Sequence, residues 1–180
     1  MSKSVDRLIK NYTNARKSWE VWCYMSGLNN DLKEVDRITR QKVNNEPLLF
    51  HLRFLAMKDY HIELYKILKN TSNNKDNIFN LLNRRLKSNP VNKSSVIAAL
   101  DDLNNSISLA QDVCNIRDKY YAHLDKNYEK HTSQKTYVKD VGYLFSIIER
   151  AIISLTSEER LIDELNRIES REDYMKKGLF

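Results

Sequence analysis

Pro47-Leu-Leu-Phe-His-Leu-Arg-Phe-Leu-Ala-Met-Lys-Asp-Tyr-His-Ile-Glu-Leu-Tyr-Lys-Ile-Leu-Lys69 runs on after its first residue without a glycine or a second proline. That length spans about six turns of α-helix, and apolar residues fall on most of the circumference: Leu48, Leu49, Phe50, Leu52, Phe54, Leu55, Met57, Ile62, Leu64, Tyr65, Ile67 and Leu68. A helix apolar nearly all round is a buried one, so this segment is expected to be the central helix of a bundle. Pro47 suits its first turn, where the missing N–H costs nothing.

Working outward, Val5, Leu8, Ile9, Tyr12, Ala15, Trp19, Trp22 and Cys23 trace one face of a helix over about Ser4–Ser26, and Gly27 supplies its left-handed stop. A shorter polar helix over about Asn30–Val43 follows. Beyond the central helix, the pattern predicts a helix over about Asp76–Lys87, broken by Ser88-Asn-Pro-Val-Asn. A long helix is expected from about Ser95 to His123, then a polar loop from Asp125 to Gln134. Tyr137, Val141, Leu144, Phe145, Ile148, Ile152 and Leu155 define the next helix, in which Gly142 is expected to mark a close helix contact. Ser157-Glu-Glu-Arg caps a last helix through Leu161, Ile162, Leu165 and Ile168. The expectation is all-α: one antiparallel, up-and-down bundle with additional helices, a single domain over 1–180. It divides into N-terminal helices (1–44), a bundle core (45–155), and a C-terminal helix and tail (156–180).

Composition points the same way. Gly occurs 3 times and Pro 2, too few punctuators for a sandwich or barrel. Cys23 and Cys114 sit among apolar neighbours with no C-x-x-C spacing and read as small core residues. No apolar run approaches the length of a membrane helix, and the polar start lacks a signal peptide's apolar region, so a soluble, cytoplasmic protein with no membrane contact is expected. A net charge of +6 suits an acidic partner such as nucleic acid. Between Asn77 and Leu100 there is no acidic residue while Arg84, Arg85, Lys87 and Lys93 all fall there, which reads either as a solvated helix end or as a phosphate-binding patch.

The chemistry concentrates in Asn115-Ile116-Arg117-Asp118-Lys119-Tyr120-Tyr121-Ala122-His123-Leu124-Asp125. On a straight α-helix Arg117 continues the apolar stripe of Leu103, Ile107, Ala110 and Cys114, so its guanidinium is expected to head toward packing rather than water. A permanently charged group there needs a buried partner, an interface or a ligand. His123 is a proton carrier suited to neutral pH, and a planar guanidinium can grip two phosphoryl oxygens at once. Six positions on an α-helix set the two side chains about 120° apart, which favours either a turn before His123 or a contribution from a second subunit.

Arg117-Asp118, with His123 after five intervening residues, resembles the signature of the HEPN superfamily, and the AbiU-like branch associated with abortive infection and toxin systems looks most similar. The resemblance covers about residues 45–155. It implies a helical bundle that forms a homodimer with a composite cleft, acting as a metal-independent endoribonuclease that leaves a 2′,3′-cyclic phosphate, in a phage-defence or toxin–antitoxin system with a partner protein such as an antitoxin. His123 would then act as acid or base on the RNA 2′-OH and Arg117 would hold the scissile phosphate. Asp118, Tyr120 and Tyr121 would support them, while Arg84, Arg85, Lys87, Lys119 and Lys126 would contact nucleic acid. Leu124-Asp125 follows His123 where one toxin branch often carries a Tyr.

Two other readings stand beside this one. The same cleft can serve a noncatalytic module binding a nucleotide, RNA or a protein, or Arg117 can be a structural ion-pair residue. His51 and His61 have no second ligand at helical spacing and read as core or boundary histidines, and His131 reads as a solvated loop residue. No metal site and no cofactor are expected, since no Gly-rich phosphate loop or zinc spacing is present.

Overall fold

The computed structural model describes residues 2–28, 33–71, 74–121 and 138–166, together with 173 and 177. Among them the regular structure is entirely helical: α1 (Ser2–Met25), α2 (Lys33–Asn45), α3 (Pro47–Leu68), α4 (Ile78–Lys87), α5 (Lys93–Asn105), α6 (Ile107–Asn115), a π-helical segment (Ile116–Tyr121), α7 (Val138–Leu155) and α8 (Glu158–Leu165). No helix of these is long and apolar enough to cross a membrane.

Three antiparallel pairings build the bundle. Helix α1 lies along α3, with Arg7 and Asn11 beside Tyr65 and Lys66, and Val21 beside Leu55. It also lies along α7, where the fully buried Tyr12 donates to Glu149 Oε2 at 2.7 Å and Trp19 packs on Phe145 at 5.3 Å. Helix α5 runs against α7, through Asn92 Nδ2 donating to Ser154 O at 2.9 Å and Arg150 pairing with Asp102 at 2.9 Å.

The helix boundaries follow local chemistry. Gly27 takes φ +60, and a Cβ there would lie 2.3 Å from Asp36 O, so only glycine fits this stop. The Asn77 side chain accepts from Asn80 N at 2.9 Å to cap α4, and Ser157 caps α8 through Arg160 N. Past α4, Asn89 takes φ 47 just before Pro90, ending the helix as expected.

Three expectations change. The most deeply buried helix is α7, where Val141, Leu144, Phe145, Ile147, Ile148, Ala151 and Ile152 are all buried, the larger side chains each contributing about 1.5–3 kcal/mol. In α3 only the C-terminal half is buried, around Tyr60, His61, Leu64, Ile67 and Leu68. Leu48 is 68% exposed and Phe50 51%, while Leu49 between them packs against a small satellite core of Tyr24, Met25 and Val43 from α1 and α2. Apolar periodicity reports which residues are able to be buried, not how many neighbours arrive to bury them.

The long helix expected from Ser95 to His123 is divided. Ser106 departs from helical geometry (φ −105, ψ 16) between α5 and α6, although its N–H still reaches Asp102 O at 3.2 Å. The chain therefore bends there rather than stopping. Beyond Asn115 the ladder changes to π-helical, so the α-helical step of 100° no longer places the side chains that follow. Gly142 leaves ordinary van der Waals space, with Trp19 3.7 Å from a built Cβ, so no glycine is required by that contact.

Candidate functional site

The π-helical segment carries Arg117 and Asp118 to the C-terminal end of α3. An extra residue per turn rotates the segment away from the stripe that α6 buries with Ala110, Val113 and Cys114. Arg117 is consequently not driven into the core. Its side chain is 36% exposed, correcting the expectation that the guanidinium heads into apolar packing.

Arg117 is held from two sides. Its guanidinium carbon lies 4.4 Å from the centroid of the Tyr65 ring, and its Nη1 donates to Asp118 Oδ1 at 2.9 Å. The other oxygen of Asp118 accepts from Lys69 Nζ at 2.8 Å, and Lys69 is itself 5.2 Å from the Tyr65 centroid. One carboxylate thus bridges two cations around one aromatic ring.

The electrostatics follow from that bridge. Partial burial pushes the Asp118 carboxyl up, but hydrogen bonds from Lys69 and Arg117, the Lys69 charge and the Tyr65 hydroxyl outweigh it and hold it below the ordinary carboxylate value. Lys69 is raised in turn, chiefly by its bond to Asp118. One helical turn before Asp118, burial pushes the Cys114 thiol up to about 11, so it stays protonated at neutral pH and is a poor nucleophile. Cys23 is likewise buried, and the two cysteines form no disulfide.

Sequence reasoning found Arg117 and Asp118 but missed Tyr65 and Lys69, which read there as part of an apolar helix and its end. Their spacing of four residues on α3 was the available signal, and its meaning depends on Asp118, which lies 49 residues further on. The side chains of Lys119, Tyr120 and Tyr121, and the whole of His123, Lys126 and His131, lie outside the described residues.

Of the basic residues on α4, Arg84 donates to Lys75 O at 2.8 Å and pairs with Asp76 at 3.4 Å, bracing the connection between α3 and α4. Arg85 is half-buried and Lys87 exposed. That connection is further secured by Asn74, whose Nδ2 donates to Lys66 O at 3.2 Å and Lys69 O at 3.0 Å, satisfying carbonyls at the end of α3.

His61 is buried, its Nδ1 donating to Met57 O at 2.8 Å, and burial depresses it to about 4. It is a core histidine, as its spacing suggested, while His51 is exposed on the same helix. Among the described residues no group of three His, Cys, Asp or Glu side chains converges as a metal site would require. The chain matches no protein-family model, no curated protein and no solved structure.

Proposed function

We propose that this chain is a HEPN-like, metal-independent endoribonuclease of a phage-defence or toxin–antitoxin system, acting as a homodimer whose two motifs share one cleft. The observation that carries the reading is the setting of Arg117: a half-exposed guanidinium, oriented by Asp118 and backed by Tyr65, on a π-helical segment that leads toward His123. π-Helical turns recur at functional sites, and a pre-oriented guanidinium is suited to two oxygens of one phosphate.

In this mechanism the 2′-oxygen attacks the adjacent phosphorus while an imidazole of His123 accepts the 2′-OH proton. The P–O5′ bond breaks, and an imidazolium, from the same protomer or the other, returns a proton to the 5′-oxygen. The products are a 2′,3′-cyclic phosphate and a 5′-hydroxyl. Arg117 stabilises the charge that develops on the phosphoryl oxygens.

A noncatalytic binding module is the second reading, and the shared carboxylate favours it: Asp118 already pairs with both Arg117 and Lys69, so an incoming phosphate must compete with it for them. Incubating the protein with structured RNA in EDTA separates the two. Cleavage by the wild type, lost in Arg117→Ala and in His123→Ala, supports the nuclease. RNA bound but left intact by the wild type supports the module. Sedimentation tests the dimer, and a strict monomer that still cleaves overturns the shared cleft.

A further inference from the structure

The Arg117 cluster borders an open cleft of about 680 Å³ between α1, the C-terminal end of α3 and the connection that follows it. Tyr65 and Lys69 belong to both. Its other charged walls are Arg7 from α1, Lys66 from α3, and Lys75 and Asp76 from the connection. Four cations supplied by three separate elements therefore converge on one concave space, which a solvated helix face would not produce.

With Arg117 and Arg84, which share its carboxylates, six cations face three carboxylates, and each carboxylate anchors a cation: Asp118 holds Lys69 and Arg117, Asp76 holds Arg7 at 2.8 Å and Arg84 at 3.4 Å, and Glu63 holds Lys66. These pairs position the basic groups before any ligand arrives and leave an excess of positive charge. Lys75 is set in place through its own backbone, by the bond from Arg84 to its carbonyl.

We infer that this cleft is a subsite for the sugar–phosphate backbone of single-stranded RNA, feeding the strand toward Arg117; the inference rests on the proposed ribonuclease reading for its substrate class. A volume of about 680 Å³ is in the range of roughly 300–1,000 Å³ that encloses a drug-sized ligand, so it has room for a short piece of one strand. A basic groove with an aromatic wall is the general design of single-strand binding. Asn11, also on the wall, can both donate and accept, as a 2′-hydroxyl requires.

The test measures binding of a fluorescent single-stranded RNA oligonucleotide to full-length protein carrying His123→Ala, in EDTA, across a salt series. Adding Arg7→Ala and Lys75→Ala together is expected to weaken binding on the order of 10-fold and to flatten the log K against log salt slope by about 0.7 per lost phosphate contact. A matched loss of two exposed cations on α2, Arg37→Ala with Lys42→Ala, is expected to change neither. Thermal melting of the cleft variant within about 2–4 °C of its parent shows that it is folded. Equal affinity and slope for the cleft and α2 variants overturn the subsite, as does tighter binding of duplex RNA or of single-stranded DNA of the same sequence. Failure here is distinct from failure of the ribonuclease reading: if Arg117 and His123 are needed for cleavage while the cleft variant binds normally, the nuclease stands and the subsite falls.

Discussion

Lys69, at the C-terminal end of α3, and Asp118, in the π-helical segment, meet at 2.8 Å and fasten two parts of the chain that are 49 residues apart. Because the other Asp118 oxygen holds Arg117, this contact sets the direction of the guanidinium as well as joining the helices. Asp118→Asn keeps the shape and removes the charge. On the nuclease reading it is expected to lower kcat on the order of 10-fold with little change in KM, since orientation rather than substrate affinity is lost. Tighter RNA binding by the variant, with no cleavage by either protein, would favour the module instead.

His61 predicts a pH dependence of stability. Its folded value of about 4 lies below the ordinary value near 6.5, so between those limits the unfolded chain binds the extra proton. Its contribution is complete above pH 6.5 and is lost as the pH falls toward 4, a change on the order of 3 kcal/mol. Thermal unfolding followed by circular dichroism over this range should show a falling Tm that flattens in His61→Phe. An unaltered slope in the variant would assign the effect elsewhere. Asp118 acts in a lower window: its carboxyl is depressed, so what it contributes is present at neutral pH and disappears as the pH falls through its folded value.

The two halves of α3 should respond differently to the same truncation. Leu64 is fully buried, so Leu64→Ala is expected to cost about 2–5 kcal/mol. Leu48, at the other end, is largely exposed, and Leu48→Ala should stay within about 0.5 kcal/mol. Urea titrations of both variants check the pair, and a large loss for Leu48→Ala would show that its half of α3 is covered in solution.

Two glycines should give opposite signs. At Gly27 an added Cβ would meet both a positive φ and the Asp36 carbonyl, so Gly27→Ala is expected to destabilise by at least about 2 kcal/mol. Within α7, Gly142→Ala finds ordinary contact space beside Trp19 and should be neutral or stabilise by up to about 1 kcal/mol through helix propensity. Chemical denaturation of the two variants decides both.

Much of the architecture was legible in the chain itself. The order of the helices, the stops at Gly27 and Pro90, and the cap at Ser157 follow from local backbone chemistry, which needs only neighbouring residues to act. The candidate site was half legible. Arg117 stood out because a charge interrupts an apolar stripe, and Asp118 because it adjoins the arginine. Tyr65 and Lys69 had no such contrast, since aromatic and basic residues are ordinary at the end of an amphipathic helix.

What the sequence by itself determined is therefore an all-helical chain with a conspicuous arginine near the end of a long apolar stripe. Only the tertiary structure decided which helix is deepest, and that Arg117 turns outward onto Tyr65. The reason is physical: helix formation depends on contacts a few residues apart, whereas burial depends on which faces other helices cover. The shift to π-helical geometry at Ile116, which rotates Arg117 and Asp118 toward Lys69, places residues whose sequence separation no local pattern can span.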